Sequence, residues 1–144
     1  MMTRRTVLMA AALLVGGVTA CSDLTGANAR ADGVYYLQAV GNTNLPASYV
    51  DANTLRTFTV TSDQYVLNSD GTYNDLQIYT DNGQHSYTES GTWSQSSNLV
   101  TFHPTYSSAN YYTDYTGTLA SSSSFGGARS MSINFNGQVW YYSE

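Results

Sequence analysis

The chain has 144 residues, of which five are Arg, none Lys and ten Asp or Glu, for a formal net charge of −5. Arg4 and Arg5 sit at the extreme N-terminus, so three cations face ten acids over the remainder, and no basic stripe exists for a nucleic acid to find. Thirteen tyrosines, 18 serines and 18 threonines against two isoleucines disfavour helices and describe one hydroxyl-covered, all-β domain.

Met1–Arg5 is a short basic segment, Val7–Val18 an uncharged run, and Val18-Thr19-Ala20-Cys21 a small-residue stretch ending in the only cysteine. The run is too short for a bilayer core that takes about 20 helical residues, so it reads as a signal sequence rather than a transmembrane anchor. Val18-Thr19-Ala20-Cys21 resembles the lipobox of bacterial lipoproteins. That resemblance implies cleavage before Cys21, lipidation of its thiol, and a partner in the membrane itself through the acyl chains, each buried CH₂ contributing about 0.8 kcal/mol. Ser22, where an Asp would imply inner-membrane retention, implies an outer-membrane location, on the periplasmic or surface face. Thr3-Arg4-Arg5-Thr6-Val7-Leu8 partly matches a twin-arginine export motif. With Cys21 lipidated no thiol remains, so the exported domain has neither a disulfide nor a thiol nucleophile. The expected organisation is a signal peptide over residues 1–20, a lipidated terminus and polar tether over 21–32, and a barrel domain over 33–144.

Short alternating runs follow, punctuated by turn residues. Gly33–Val40 is a first strand. The connection Gly41–Leu55 contains Leu45-Pro46 and has room for a helical turn around Ala47–Ala52. Arg56–Thr61 and Gln64–Asn68 read as a pair about Ser62-Asp63. Asp70-Gly71 and Asn82-Gly83 supply the positive-φ positions that turn the chain into Thr72–Thr80 and then Gln84–Trp93. Asn98–His103 ends at Pro104, Tyr111–Ala120 is a long aromatic run, and Ser121–Gly127 is a loop. Arg129–Phe135 and Gln138–Tyr142 form a hairpin about Asn136-Gly137. Alternation in Phe58/Val60, Leu76/Ile78, Val100/Phe102 and Met131/Ile133/Phe135 marks apolar faces.

Eight or nine strands in this length fit a single closed, antiparallel up-and-down β-barrel. A transmembrane barrel is disfavoured by short strands and a Ser/Thr/Asn-rich polar face. Gly33-Val34-Tyr35, Leu45-Pro46, Asp70-Gly71-Thr72-Tyr73 and Gly91-Thr92-Trp93, in this order, resemble the lipocalin-like, calycin-type small barrels of bacterial envelope lipoproteins. Tyr35 stands where lipocalins carry Trp, with Thr113-Asp114-Tyr115 and Arg129 as further points of comparison. The resemblance implies a barrel with one end closed and the other open to a small ligand.

Catalytic patterns are sparse. His85 and His103 lack the spacing of a metal site, Asp70 and Asp81 serve turns, Asp75 belongs to no converging loop, and Glu89 is the only strand Glu. Neither a hydrolase elbow nor a phosphate cradle is present, and no cofactor or metal is expected. Two readings follow. In the first, a non-enzymatic lipoprotein binds a small apolar or amphipathic ligand through Tyr35, Tyr65, Tyr73, Tyr79, Trp93, Tyr111 and Trp140. In the second, a filled barrel serves as an envelope or surface interaction module that contacts protein or carbohydrate.

Overall fold

The computed structural model describes residues 30–51, 54–121 and 128–144. The expected signal peptide, Cys21, most of the expected tether and residues 122–127 of the expected Ser121–Gly127 loop lie outside the described residues. Ten strands form one antiparallel sheet: β1 (Gly33–Val40), β2 (Thr43–Asn44), β3 (Ala47–Val50), β4 (Thr57–Leu67), β5 (Thr72–Thr80), β6 (Gln84–Ser96), β7 (Leu99–Ser107), β8 (Tyr115–Ser121), β9 (Arg129–Phe135) and β10 (Gln138–Ser143). Each strand from β4 to β10 pairs with the next, and β1 pairs with both β10 and β4, which closes an eight-stranded barrel. β2 folds back on β1, and β3 lies beside β4 as an extra strand. This is the closed up-and-down barrel expected from the sequence, and closure leaves its eight strands without an unpaired edge.

Asn82 and Asn136 adopt the positive φ that their hairpins require, at 54° and 51°. Several details differ from the sequence reading. Residues 47–50 form β3 rather than a helical turn, since Ala47 and Tyr49 pack inward while β4 supplies backbone partners. Ser62-Asp63 is not a turn: β4 runs unbroken from Thr57 to Leu67, with a bulge between Val60 and Ser62 that resets which residues face inward. β7 continues through Pro104, because β8 pairs only with Leu99–Phe102 and the missing N–H has no ladder to interrupt on that side. Finally, β8 begins at Tyr115, so Tyr111–Asp114 belongs to the connection before it.

The inward faces are dominated by rings. Tyr35, Tyr65, Tyr73, Phe102 and Tyr142 are almost wholly buried, with Met131, Ile133, Val60 and Val100 between them. Phe102 lies at the centre of the aromatic packing, with ring centroids 4.9 Å from Tyr115, 5.1 Å from Tyr73 and 5.3 Å from Tyr65. On β5 the inward face is the reverse of the one the aliphatic alternation suggested: Leu76 is 45% exposed, while Tyr73 and Asp75 are buried.

One barrel end, carrying the turns after β4 and β6, is closed by residues 30–32. The Ala31 amide donates to Gln95 Oε1 (2.9 Å), Arg30 Nη2 donates to the Ser69 carbonyl (2.6 Å), and Tyr35 donates to the Ala31 carbonyl (3.0 Å). Ala31 has no exposed surface. The opposite end, with the turns after β5 and β9, forms the mouth.

Candidate functional site

The mouth is ringed by a continuous belt of aromatic side chains. Successive centroid distances are 5.5 Å for His85 to Tyr79, 5.5 Å for Tyr79 to Phe58, 5.6 Å for Phe58 to Tyr49 and 5.3 Å for Tyr49 to Trp140. The belt continues from Trp140 to Phe135 at 5.6 Å and from Phe135 to Tyr115 at 5.3 Å. Seven strands each contribute one ring, from inward-facing positions toward the mouth end of each strand. On the β5–β6 side lies an open cleft of about 490 Å³, lined by Arg56, Phe58, Tyr79, Asp81, Asn82 and His85. Its apolar wall is Phe58 against Tyr79, with the His85 ring stacked on Tyr79. Its polar rim is the Arg56–Asp81 ion pair, and the Arg56 guanidinium lies 5.8 Å from the Phe58 ring centre. A shallower crevice lies between Tyr49, Val50, Phe135, Asn136, Gln138 and Trp140.

Inside the barrel is a second, unanticipated cluster. Asp63, Asp75 and Glu89 are 3%, 5% and 4% exposed, and the β5–β6 ladder sets Asp75 directly opposite Glu89. Glu89 accepts three phenol hydrogen bonds, from Tyr73 (2.7 Å) and Tyr115 (2.5 Å) on Oε1 and from Tyr87 (2.5 Å) on Oε2. The Tyr115 proton is committed to Glu89, so the 2.9 Å contact between Tyr65 and Tyr115 is a donation by Tyr65. Ser107 donates to the Tyr87 oxygen at 3.1 Å. Asp63 Oδ2 accepts from Tyr142 (2.9 Å) and Gln77 (3.2 Å). Burial raises the pKa of both Asp63 and Asp75 above the usual carboxylate range, and for Asp75 the neighbouring Asp63 raises it further. It also raises the phenols of Tyr65, Tyr73, Tyr87, Tyr115 and Tyr142, so each remains a donor through the physiological range.

The seven aromatic residues picked out from the sequence do not form one site. Tyr35, Tyr65 and Tyr73 are core residues, Tyr35 nearest the closed end. Trp140 is buried in the aromatic belt, and Tyr79 lines the cleft. Trp93 lies toward the closed end, where its indole N–H donates to the Asn68 carbonyl at 3.0 Å. Tyr111 is 57% exposed on the β7–β8 connection. Asp70 serves its turn as expected, with Oδ1 accepting from the Thr72 amide and hydroxyl. His103 pairs with Asp114 at 2.7 Å.

Sequence reasoning passed over Phe58, His85 and Arg56 as site residues, together with the whole acid cluster. A signal for the cluster was present: Asp63-x-Tyr65, Tyr73-x-Asp75 and Tyr87-x-Glu89 place an acid and a phenol two residues apart on three successive strands, and therefore on one face. Among the described residues, no group of three His, Cys, Asp or Glu side chains is placed to hold a metal ion. Comparison with protein families, with curated proteins and with solved structures gives no match.

Proposed function

We propose that this chain is an exported, lipid-anchored and non-enzymatic lipoprotein of lipocalin-like architecture that binds a small amphipathic molecule at its aromatic mouth. The observation that supports this reading is the cleft between Phe58, Tyr79 and His85, with apolar ring faces on one side and a charged rim on the other. Small-molecule sites combine an apolar wall with a few placed polar groups, and barrel mouths are a preferred location for them. The packed axis favours a rim site over an internal one, since Tyr65, Tyr73, Phe102 and Tyr142 occupy the space that an internal ligand would need. A ligand suited to the cleft has a flat apolar body and a polar or charged end, able to lie on the rings while addressing Arg56 or Asp81.

The protein has two tryptophans, and Trp140 belongs to the belt. A Trp93→Phe variant therefore carries a single reporter near the proposed site. Titration of that variant with anilinonaphthalenesulfonate, an anionic amphiphile, is expected to change Trp140 emission saturably. Adding Tyr79→Ala or Phe58→Ala is expected to weaken the effect several-fold. Binding unaffected by both substitutions would overturn the site. The anchor has its own test: Cys21→Ser is expected to move the protein from membrane to soluble fractions, and continued membrane association would refute lipidation.

The filled axis, with Tyr36 and Tyr141 half-exposed on the outer faces of β1 and β10, favours a second reading as an interaction module. Native mass spectrometry of protein taken from its own host separates the two. A co-purified small molecule supports the first, and a bare chain with a stoichiometric protein partner supports the second.

A further inference from the structure

Three acids inside a small barrel call for compensation, and no cation among the described residues supplies it. Among the described residues Arg30 pairs with Asp32, Arg56 with Asp81 and Arg129 with Glu144. His103 is held by Asp114, and His85 contacts the Asp81 carbonyl. Every group facing the cluster is an acid, a phenol or neutral. From β4 come Asp63 and Tyr65, from β5 Tyr73, Asp75 and Gln77, from β6 Tyr87 and Glu89. Ser107 on β7, Tyr115 on β8 and Tyr142 on β10 complete the surroundings, with Tyr49 on β3 farther off.

Glu89 is served by three phenols and Asp63 Oδ2 by Tyr142 and Gln77. Asp63 Oδ1 and Asp75 Oδ1 are buried without a hydrogen-bond partner, and the backbone amides of Gln64 and Leu76 favour the charged forms of the two carboxyls less than burial disfavours them. The two side chains are diagonal neighbours on the β4–β5 ladder, where Asp63 pairs with Gln77 and Asp75 with Tyr65, and each acts on the titration of the other. Two carboxylate oxygens are both acceptors, so they can be bonded only through a hydrogen that one of them carries. Uncompensated buried charge is otherwise very costly.

We propose that Asp63 and Asp75 share one proton, which locks β4 to β5 inside the barrel, and that losing this proton as pH rises loosens the fold. The proton belongs to Asp75, since Asp63 already receives two donors that favour its charged form. The lock is independent of any ligand at the mouth. Because burial raises both carboxyls above their unfolded values, the stabilisation is complete below the unfolded carboxylate range and is lost as pH rises through the folded value. Tyrosine ionisation does not intrude, for every buried phenol of the cluster is also raised.

The test is the melting temperature as a function of pH for wild type and Asp75→Asn, whose amide N–H donates to Asp63 at every pH. As pH rises from the unfolded carboxylate range, the wild type is expected to lose on the order of 5 °C, and Asp75→Asn to lose much less. Parallel profiles would overturn the proposal. Infrared spectra of the wild type supply a second measurement that does not require the variant to fold. A protonated-carboxyl C=O band at neutral pH that vanishes on alkalinisation supports the shared proton, and its absence at neutral pH refutes it. A rise in melting temperature on adding calcium or sodium chloride that the choline salt does not reproduce would mean that a cation occupies the gap, and would overturn the proposal as well.

Discussion

The guanidinium of Arg129, on β9, lies 6.0 Å from the centre of the Tyr35 ring on β1, and its nitrogens bind both oxygens of the Glu144 carboxylate. The same side chain donates to the carbonyls of Arg30 and Asp32. One arginine thus ties the start of the described chain, the first strand and the C-terminal residue to the closed end of the barrel. Gly33 lies beneath this arrangement, where a Cβ would fall 2.6 Å from Glu144 Oε1 and 2.9 Å from Arg129 Nη2.

Arg129→Ala is expected to destabilise the barrel by about 2 kcal/mol, through loss of charge-assisted bonds and exposure of the Tyr35 face. The measurement is the midpoint of urea unfolding. Arg129→Lys should recover only part of the loss, since an ammonium cannot make the forked contact with Glu144 while also bonding two carbonyls. A lysine variant as stable as wild type would show that charge alone matters here.

Gly91 sits at the β6–β7 bulge, opposite Pro104. A Cβ there would be 2.1 Å from the His103 carbonyl oxygen and 2.9 Å from Pro104 Cα, both of them backbone that cannot swing away. Gly91→Ala is therefore expected to cost about 3 kcal/mol or more, at the upper end of overpacking. The readouts are a lowered urea midpoint and faster amide exchange along Trp93–Ser96 and Leu99–Phe102. Unchanged exchange in these segments would place the damage elsewhere.

The barrel was legible because turn chemistry and period-two alternation are local: Asn136-Gly137 specifies its hairpin, and Met131/Ile133/Phe135 specifies an inward face. The interior acids were not, for a physical reason. Ser62-Asp63 has turn composition, and only its pairing with Ile78 and Gln77 of the partner strand β5 holds it extended. On β5, aliphatic Leu76 and Ile78 outrank Tyr73 and Asp75 on any hydrophobicity scale. The barrel nevertheless prefers the phenols inside, because the acids satisfy their hydroxyls. The mouth belt was equally hidden, since it is assembled by closure from seven strands that are mostly distant in sequence.

The pH response on the acid side has the opposite sign from the Asp63–Asp75 pair. Hydrogen bonding to Arg129 holds the Glu144 carboxyl below its usual range. Its contribution is therefore present above the unfolded value and is lost as pH falls through the folded one. Glu144→Gln is expected to flatten the acid limb of a stability profile and to leave the alkaline limb unchanged. Circular dichroism melts across the acid range check this, and an unchanged acid limb would assign it to other carboxylates.

Glu89 and its three phenols are expected to behave as a unit. Tyr115→Phe removes one donor from Glu89 Oε1 and the acceptor that Tyr65 uses, leaving a buried hydroxyl unpaired, for a cost of about 1–2 kcal/mol. Tyr73→Phe removes the other donor to the same oxygen and should cost a similar amount. Together the two leave Oε1 without a donor in a site closed to water, so the double variant should lose more than the sum of the singles. Replacing the acceptor as well tests the cause. When the same two tyrosine substitutions are made in a Glu89→Leu background, most of the coupling should vanish, because the carboxylate oxygen that both phenols serve is gone. Strict additivity of the two tyrosine substitutions with Glu89 in place would mean that Oε1 is hydrated, and that the barrel admits water where the rings of Tyr65, Tyr73 and Phe102 close around it.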